Sequence, residues 1–558
     1  MSESSALAPH ERWTYAAVAA LLALVWLAAS GARPLFNPDE GRYAEIPREM
    51  LSGGDWVIPH LNGLAYLEKP PLQYWATAIS YRLLGVSELS ARLYSALTAF
   101  GTLLCTALIA SAGEGARAAI GARTDAQGGA RAGWRAAAVL GGMLMFVALG
   151  QILTLDMSLA FYMTLSLAAF LQAQRRPRYR AWMLLAWAAA GCAVLTKGVV
   201  AAAIPAAVLV IYSVWSRDFA PWRRLNLAWG LPLFAVIAVP WHWLAAHRDP
   251  GFLQFFFIHE HLARYLTPSA DRAEPWWFFG GVFLAGSFPW TLPALRALAS
   301  GWRREAPGFD AGRFLWIWLL FVIAFFSLSD SKLMPYILPG MPALAVLIAR
   351  LPPKALERDM RVSALLTAVA GIALALASLE WTHVVAFSSR SAYFTPLAQP
   401  LLRVALLLFV SGAFVLVRAR DATRAAIFLG LGWALSWLLV VRAASVLSPV
   451  YSGVDLARAL PSTLGARVPV YSVATYDQSL TFYLRRPVTL VAYRGELDYG
   501  LQRDPSAEIT QDAFRRLWSA QPMGYAIMEK GMFQDLSNAG APMRVLASTE
   551  RRVLVARQ

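Results

Sequence analysis

Residues 36–50, FNPDEGRYAEIPREM, set Asp39, Glu40, Glu45 and Glu49 among Arg42 and Arg48, directly after an apolar run long enough to cross a bilayer. Carboxylates and guanidiniums at that density can move protons, hold a cationic group or grip a phosphate. The spacing predicts a helix, with Asn37 as N-cap, Pro38 at the first helical position and Glu40 at the capping-box position. The cap accounts for Glu40, and acidic residues in a first turn favour the helix dipole by about 0.3–1 kcal/mol each. Asp39 is less explained by capping, which makes it a candidate catalytic group. Arg42 lies one turn away, placed either to orient Asp39 or, like Arg48, to meet lipid phosphates. Tyr43 is a further candidate at the reacting centre.

Five more places carry chemistry-bearing side chains. In YLEKPPLQYW, Lys69 stands beside Glu68 just ahead of a helix start, where an ammonium and free backbone N–H groups make a phosphate site; snorkelling to headgroups is the alternative. Tyr66 in the same stretch is a candidate ligand for the same phosphate. Asp156, in GQILTLDMSLAFYM, lies between two apolar runs, where a carboxylate needs a partner or a wet cavity. Lys197 and Lys332 fall in short connections, with Tyr336 one turn after Lys332, and Arg264 lies in a longer aromatic loop. All four are candidate lipid-phosphate ligands. His259 and His261 flank Glu260 in that loop, and His261 with Glu68 suggests a divalent cation, zinc or similar, although zinc normally takes at least three protein ligands.

The elements that must position these groups are membrane helices. Of 558 residues 58% are hydrophobic and 15% charged, against about 45–50% and 25% in soluble domains. Apolar runs start near residues 13, 90, 134, 157, 182, 198, 228, 276, 313, 333, 362, 400 and 425, predicting about thirteen transmembrane helices in a polytopic α-helical membrane protein. The first run, WTYAAVAALLALVWLAAS, reads as a retained span rather than a signal peptide. Alternate connections collect arginines, among them Arg175, Arg176, Arg178 and Arg180, then Arg217, Arg223 and Arg224. The positive-inside rule puts those ends in the cytoplasm, the N-terminus with them, and the C-terminus outside. The net charge of +16 is thus mostly topology, and nucleic acid is a poor partner. Cys105 and Cys192 lie in apolar runs and offer no disulfide framework.

Residues 1–445 form the expected membrane domain, with residues 31–88 as a long outer loop. Its second amphipathic helix is expected from Pro70–Pro71 to Gly85, with Leu72, Trp75, Ile79 and Leu83 on one stripe along the membrane surface. From residue 446 apolar runs shorten to strand length (VPVYSV, VTLVAY, GYAIMEK, MRVLAS, RRVLVAR) with helical patterns between them, predicting a soluble C-terminal α/β domain over 446–558. No phosphate loop or triad marks it with chemistry.

The ordered run PDEGRYAEIPREML, GDWVIPHLNGLAYLEKPPLQYW and SKLMPYILPGMPAL resembles the integral-membrane glycosyltransferases of the GT-C class, most of all the 4-amino-4-deoxy-L-arabinose lipid A transferases, relatives of protein O-mannosyltransferases. The resemblance covers about residues 10–445. It implies an undecaprenyl-phosphate-linked aminosugar donor and a lipid A phosphate as acceptor, used at the periplasmic face of the bacterial inner membrane. Modified lipopolysaccharide and resistance to cationic peptides such as polymyxin would follow. It also implies that Asp39 stands at the catalytic centre, Lys69 at the donor phosphate and Asp156 at a second acidic position; the span count puts Asp156 on the outer side, where it can face the same cavity as Asp39. A polyprenyl-phosphate-mannose protein O-mannosyltransferase and a lipid transporter without chemistry are the rival readings. A transporter usually carries its charge near the bilayer midplane.

Overall fold

Apolar composition dictates helices wherever backbone groups lose water, because only a helix satisfies its own N–H and C=O groups there. In the computed structural model, which describes residues 9–118, 126–263, 265, 273–304, 308–386, 388, 390–419, 421–461, 464–465 and 468–557, seven described helices are long and apolar enough to cross a membrane. Two bent pairs raise that number to at most nine: Gly128–Gly142 with Leu144–Gly150, at 71°, and Phe278–Gly286 with Thr291–Ser300, at 119°. The remaining expected starts fall on shorter apolar helices, Ala19–Ser30, Val200–Ser216, Ala311–Ser327 and Met334–Ala349. Hydropathy locates each segment but does not register a break. At Met143 the backbone turns extended, and the freed N–H of Leu144 donates to the Phe288 carbonyl at 3.1 Å.

The chain divides into two units. One comprises residues 1–29, 94–381 and 398–441. Its core is apolar and aromatic, with Trp26, Phe146, Phe279, Trp290 and Trp318 fully buried. Within it Leu155–Arg175 and Tyr179–Lys197 form a helical hairpin, so Asp156 in the first turn of one helix and Lys197 in the last turn of the other occupy the same end. The arginine-bearing turn at 175–180 lies at the opposite end.

The second unit joins residues 30–93, 382–397 and 442–558. After α1 (Pro9–Ser30) the chain enters α2 (Asp39–Gly53), a hairpin of β1 (His60–Leu61) and β2 (Leu64–Ala65), α3 (Leu72–Leu84) and the start of α4 (Glu88–Ala118). The expected stripe on α3 is present and uncovered: Ile79 and Leu83 are 51% and 75% exposed, while Gln73, Tyr74, Thr77 and Tyr81 are buried. Gly85, at φ 77°, ends the helix. The sequence places the N-cap of α2 one residue too early. Pro38 occupies it without a side-chain hydrogen bond, because the Asn37 amide is engaged elsewhere and Glu40 reaches back to the Phe36 N–H at 3.0 Å.

The C-terminal residues form a six-stranded sheet in the order β5-β4-β3-β6-β8-β7, from β3 (Val470–Val473), β4 (Thr489–Val491), β5 (Glu508–Ile509), β6 (Tyr525–Glu529), β7 (Met543–Ser548) and β8 (Arg552–Arg557). Five of these are the expected strands, and two-residue β5 is too short to leave a pattern. The pairs β5–β4, β4–β3 and β3–β6 are parallel, while β8 and β7 run antiparallel. Phe514 and Trp518 of the helix Gln511–Ala520 pack with Tyr471, Val491 and Met528 in its core.

Glu40, 2% exposed, anchors the segment between α1 and α2. It accepts from Arg33 Nη1 and Nη2 (2.5 and 2.9 Å) and from Arg92 Nε and Nη2 (2.8 and 3.0 Å). Arg92 also donates to the carbonyls of Ser30, Arg33 and Pro34, so all five of its N–H groups are used. Burial by itself would raise the Glu40 carboxyl; the Arg92 and Arg33 guanidiniums overturn that and hold it well below the usual carboxylate range. A depressed folded-state value means that the stability Glu40 supplies is complete above the ordinary value of 4.5 and drains away only as pH falls below it. Glu40→Ala leaves two buried cations unpaired and should cost about 3–5 kcal/mol. Arg92→Lys, with three donors for five acceptor contacts, should also unfold at lower temperature. Thermal unfolding of the purified variants measures both.

Candidate active site

The site residues fall into two clusters, one in each unit. In the first, α2 carries Asp39 into its opening turn and Arg42 one turn later. Asp39 is 52% exposed, and its nearest ion-pair partner is Arg42 at 3.6 Å. Arg42 is nearly buried and more closely held by Glu496 at 2.7 Å, while its Nη1 donates to Tyr66 Oη at 3.0 Å. Glu496 in turn accepts from Gln478 Nε2 at 2.6 Å. Arg42 Nε and Tyr74 Oη are buried with no hydrogen-bond partner, two polar atoms at one spot with capacity to spare.

Tyr43 stacks on Tyr74 with centroids 6.1 Å apart, and the Arg42 guanidinium lies 5.8 Å and 5.9 Å from the Tyr43 and Tyr66 ring centroids. Burial pushes both phenols far above their ordinary value, so each stays protonated and acts as a hydrogen-bonding group rather than a base. Tyr66, already accepting from Arg42, keeps its own proton to donate. Lys69 Nζ donates to the Glu68 carbonyl at 2.9 Å and stands 4.0 Å from its carboxylate. Burial raises the Glu496 carboxyl, with Arg42 opposing. Three carboxylates, Asp39, Glu68 and Glu496, thus face two cations, Arg42 and Lys69. That excess suits a cationic ligand group, and the two cations suit a phosphate.

In the second cluster Thr154 caps the helix Leu155–Arg175, accepting from the Asp156 N–H at 3.4 Å. Asp156 forms an ion pair with Lys197, whose Nζ lies 4.8 Å from the centre of the Tyr336 ring. Placement at these helix ends also complements both dipoles, which accounts for part of the pair in structural terms. Lys332 is 7% exposed and makes no hydrogen bond or ion pair among the described residues. Its Nζ keeps contact with solvent although the rest of the residue is buried, so an anion can reach it.

Arg264 and the side chain of His261 lie outside the described residues; the His261 backbone belongs to a π-helical stretch, Gln254–Ala263. Among the described residues no three His, Cys, Asp or Glu side chains gather in a metal-binding arrangement.

Several participants escape sequence reasoning. Glu496 and Gln478 lie more than 430 residues from Asp39 in a region without a motif. Arg92 left a signal, an arginine inside the apolar run ELSARLYSALTAF.

Comparison with known proteins supplies the family. Residues 456–557 match the aminoarabinose transferase C-terminal domain, and residues 12–256 the dolichyl-phosphate-mannose-protein mannosyltransferase family. The chain is 32% identical over 549 residues to the undecaprenyl phosphate-alpha-4-amino-4-deoxy-L-arabinose arabinosyl transferase of Pseudomonas aeruginosa, covering 92% of each chain. The enzyme of that name from Aeromonas salmonicida is 31% identical over 453 residues, 79% of this chain and 76% of that one. Among solved structures, ArnT from Cupriavidus metallidurans bound to undecaprenyl phosphate matches with a TM-score of 0.87 at 32% identity over 98% of both chains, and its apo state with 0.86 at 31%. A multi-pass membrane protein with this full-length similarity belongs to the undecaprenyl phosphate-alpha-4-amino-4-deoxy-L-arabinose arabinosyl transferase family, within the GT-C glycosyltransferases.

Proposed function

We propose that this chain transfers 4-amino-4-deoxy-L-arabinose from undecaprenyl phosphate to a phosphate of lipid A. What carries the reading is the similarity to enzymes of that name over 92% of the chain, joined to a cluster that holds more carboxylates than cations around the half-exposed Asp39. The transfer is assigned to the periplasmic face of the bacterial inner membrane. The arginine-bearing turn at 175–180 then faces the cytoplasm and the Asp156–Lys197 end faces out.

In this reaction an oxygen of the acceptor phosphate attacks the anomeric carbon. The bond to the undecaprenyl phosphate oxygen breaks, and its electron pair leaves with that phosphate. Direct displacement inverts the anomeric centre. The acceptor is already ionised near neutral pH, so no strong general base is needed. Asp39 instead orients the sugar and offsets positive charge at the anomeric carbon. With Glu68 and Glu496 it supplies negative charge for the sugar's ammonium. Lys69 and Arg42 offset charge on the departing phosphate, Tyr66 donates to it, and Tyr43, braced by its stack on Tyr74, backs the reacting centre. In the second cluster Lys197, Lys332 and Tyr336 are assigned to lipid phosphate, with Asp156 holding Lys197 in place; Arg264 is assigned to the same phosphate on its residue type alone. A divalent cation held by His261, if present, would add positive charge for a phosphate oxygen.

Protein O-mannosyl transfer is the second reading, since residues 12–256 match that family. The C-terminal match to aminoarabinose transferases favours the first. The same purified protein tests both, incubated with undecaprenyl-phosphate aminoarabinose and lipid A while lipid A mass is followed. Wild type should add one aminopentose, and Asp39→Asn should slow turnover at least about 100-fold. Unmodified lipid A with a competent donor would overturn the proposal. Lys69→Ala should raise the KM for donor roughly tenfold or more, as removal of a charge-assisted phosphate contact predicts. Elemental analysis settles the cation: His261→Ala with the metal content of wild type removes that histidine from any site.

A further inference from the structure

We infer that Asp477, in the C-terminal part of the chain, is a positioning residue for Asp39 and acts through Asn37. The inference rests on the catalytic role proposed for Asp39.

Asp39 has little of its own to hold it: it is half-exposed, and its ion-pair contact to Arg42 is long. Its place is therefore set by its neighbours in the chain. On the C-terminal side Glu40 is fixed by Arg33 and Arg92. On the N-terminal side Asn37 is held from residues over 400 positions away. Its Nδ2 donates to Asp477 Oδ1 at 2.7 Å, its Oδ1 accepts from the Ser479 N–H at 2.8 Å, and its backbone N–H donates to the Tyr451 carbonyl at 2.8 Å.

Asp477 is built for a fixed position. It is 1% exposed, its Oδ2 is ion-paired with Arg552 of β8, and its Oδ1 also accepts from the Ser479 hydroxyl at 2.8 Å. The N–H groups of Ser479 and Leu480, each at 3.1 Å, complete its shell. Approach of the two segments is close as well. A Cβ on Gly41 would run into the backbone of Gln478 and Ser479, so only glycine lets α2 lie against the helix Gln478–Leu484.

A plain capping role for Asp477 on the helix Gln478–Leu484 is the competing explanation, and it does not require Asn37. Misplacement of a reacting group by about 1 Å can cost 100-fold in rate, so a positioning role shows in turnover before it shows in stability.

The test measures kcat, donor KM and melting temperature for full-length Asn37→Ala, Asp477→Asn and the double variant, beside Asp39→Asn. Asn37→Ala leaves the helix cap and the Arg552 pair intact and keeps the proposal testable if Asp477→Asn fails to fold. Asn37→Ala should lower kcat about 10- to 100-fold, with donor KM within about twofold and melting unchanged. The double variant should be no slower than the slower single one, because both changes cut the same link. Wild-type kcat in Asn37→Ala, with Asp39→Asn crippled, would overturn the positioning role and leave the role of Asp39 standing. Losses that multiply in the double variant would also overturn it. Wild-type turnover in Asp39→Asn would bring down both.

Discussion

A carboxylate taken out of water must be paired, and the pairing of Glu40 with Arg33 and Arg92 is the constraint on which the rest of its unit depends. Desolvating three charges is expensive, so their net contribution to stability is small compared with the cost of breaking the set. What the cluster supplies is location. Arg92 stands in the first turns of an apolar helix and spends its remaining donors on three carbonyls of the segment between α1 and α2. A stretch of chain with no regular structure is thereby fixed to a membrane helix. Asp39, next to Glu40 in sequence, inherits that fixed position while keeping its own carboxylate in contact with water.

The two acidic residues singled out for chemistry live in different surroundings, which suits them to different work. Asp39 is loosely contacted and half-exposed, able to exchange one partner for another as a ligand arrives. Asp156 is bound to Lys197, and the lysine lies over an aromatic ring, so the pair behaves as a unit of fixed charge and orientation. Arg42 joins neighbours instead of serving one, since its guanidinium reaches Asp39, Glu496 and Tyr66 together. A point charge on a flexible stem does not reproduce that fork.

Much of this was legible in the sequence, and the illegible part has a common cause. Apolar runs mark the helical segments, and strand-length runs after residue 446 mark five of six strands, because burial periodicity is a local property. The gathering of Asp39, Arg42, Tyr43 and Tyr66 is partly local too, since α2 alone spaces three of them. Glu496 and Asp477 gave no sign, as no short-range pattern says which distant residue a buried guanidinium or amide will meet. The capping reading of Glu40 was reasonable by spacing yet incomplete. Its main partners, Arg33 and Arg92, fall outside the window that a helix-cap motif inspects.

The unit that holds Asp39 is assembled from the two ends of the polypeptide, residues 30–93 and 442–558, with a short piece of 382–397. A ribosome finishes the first of these segments long before it begins the last. Until then Asn37 and Arg42 have neither Asp477 nor Glu496 to bind. This unit can therefore be completed only after residues 442–558 have been made, and a chain stopped before them lacks the partners that hold Asn37 and Arg42.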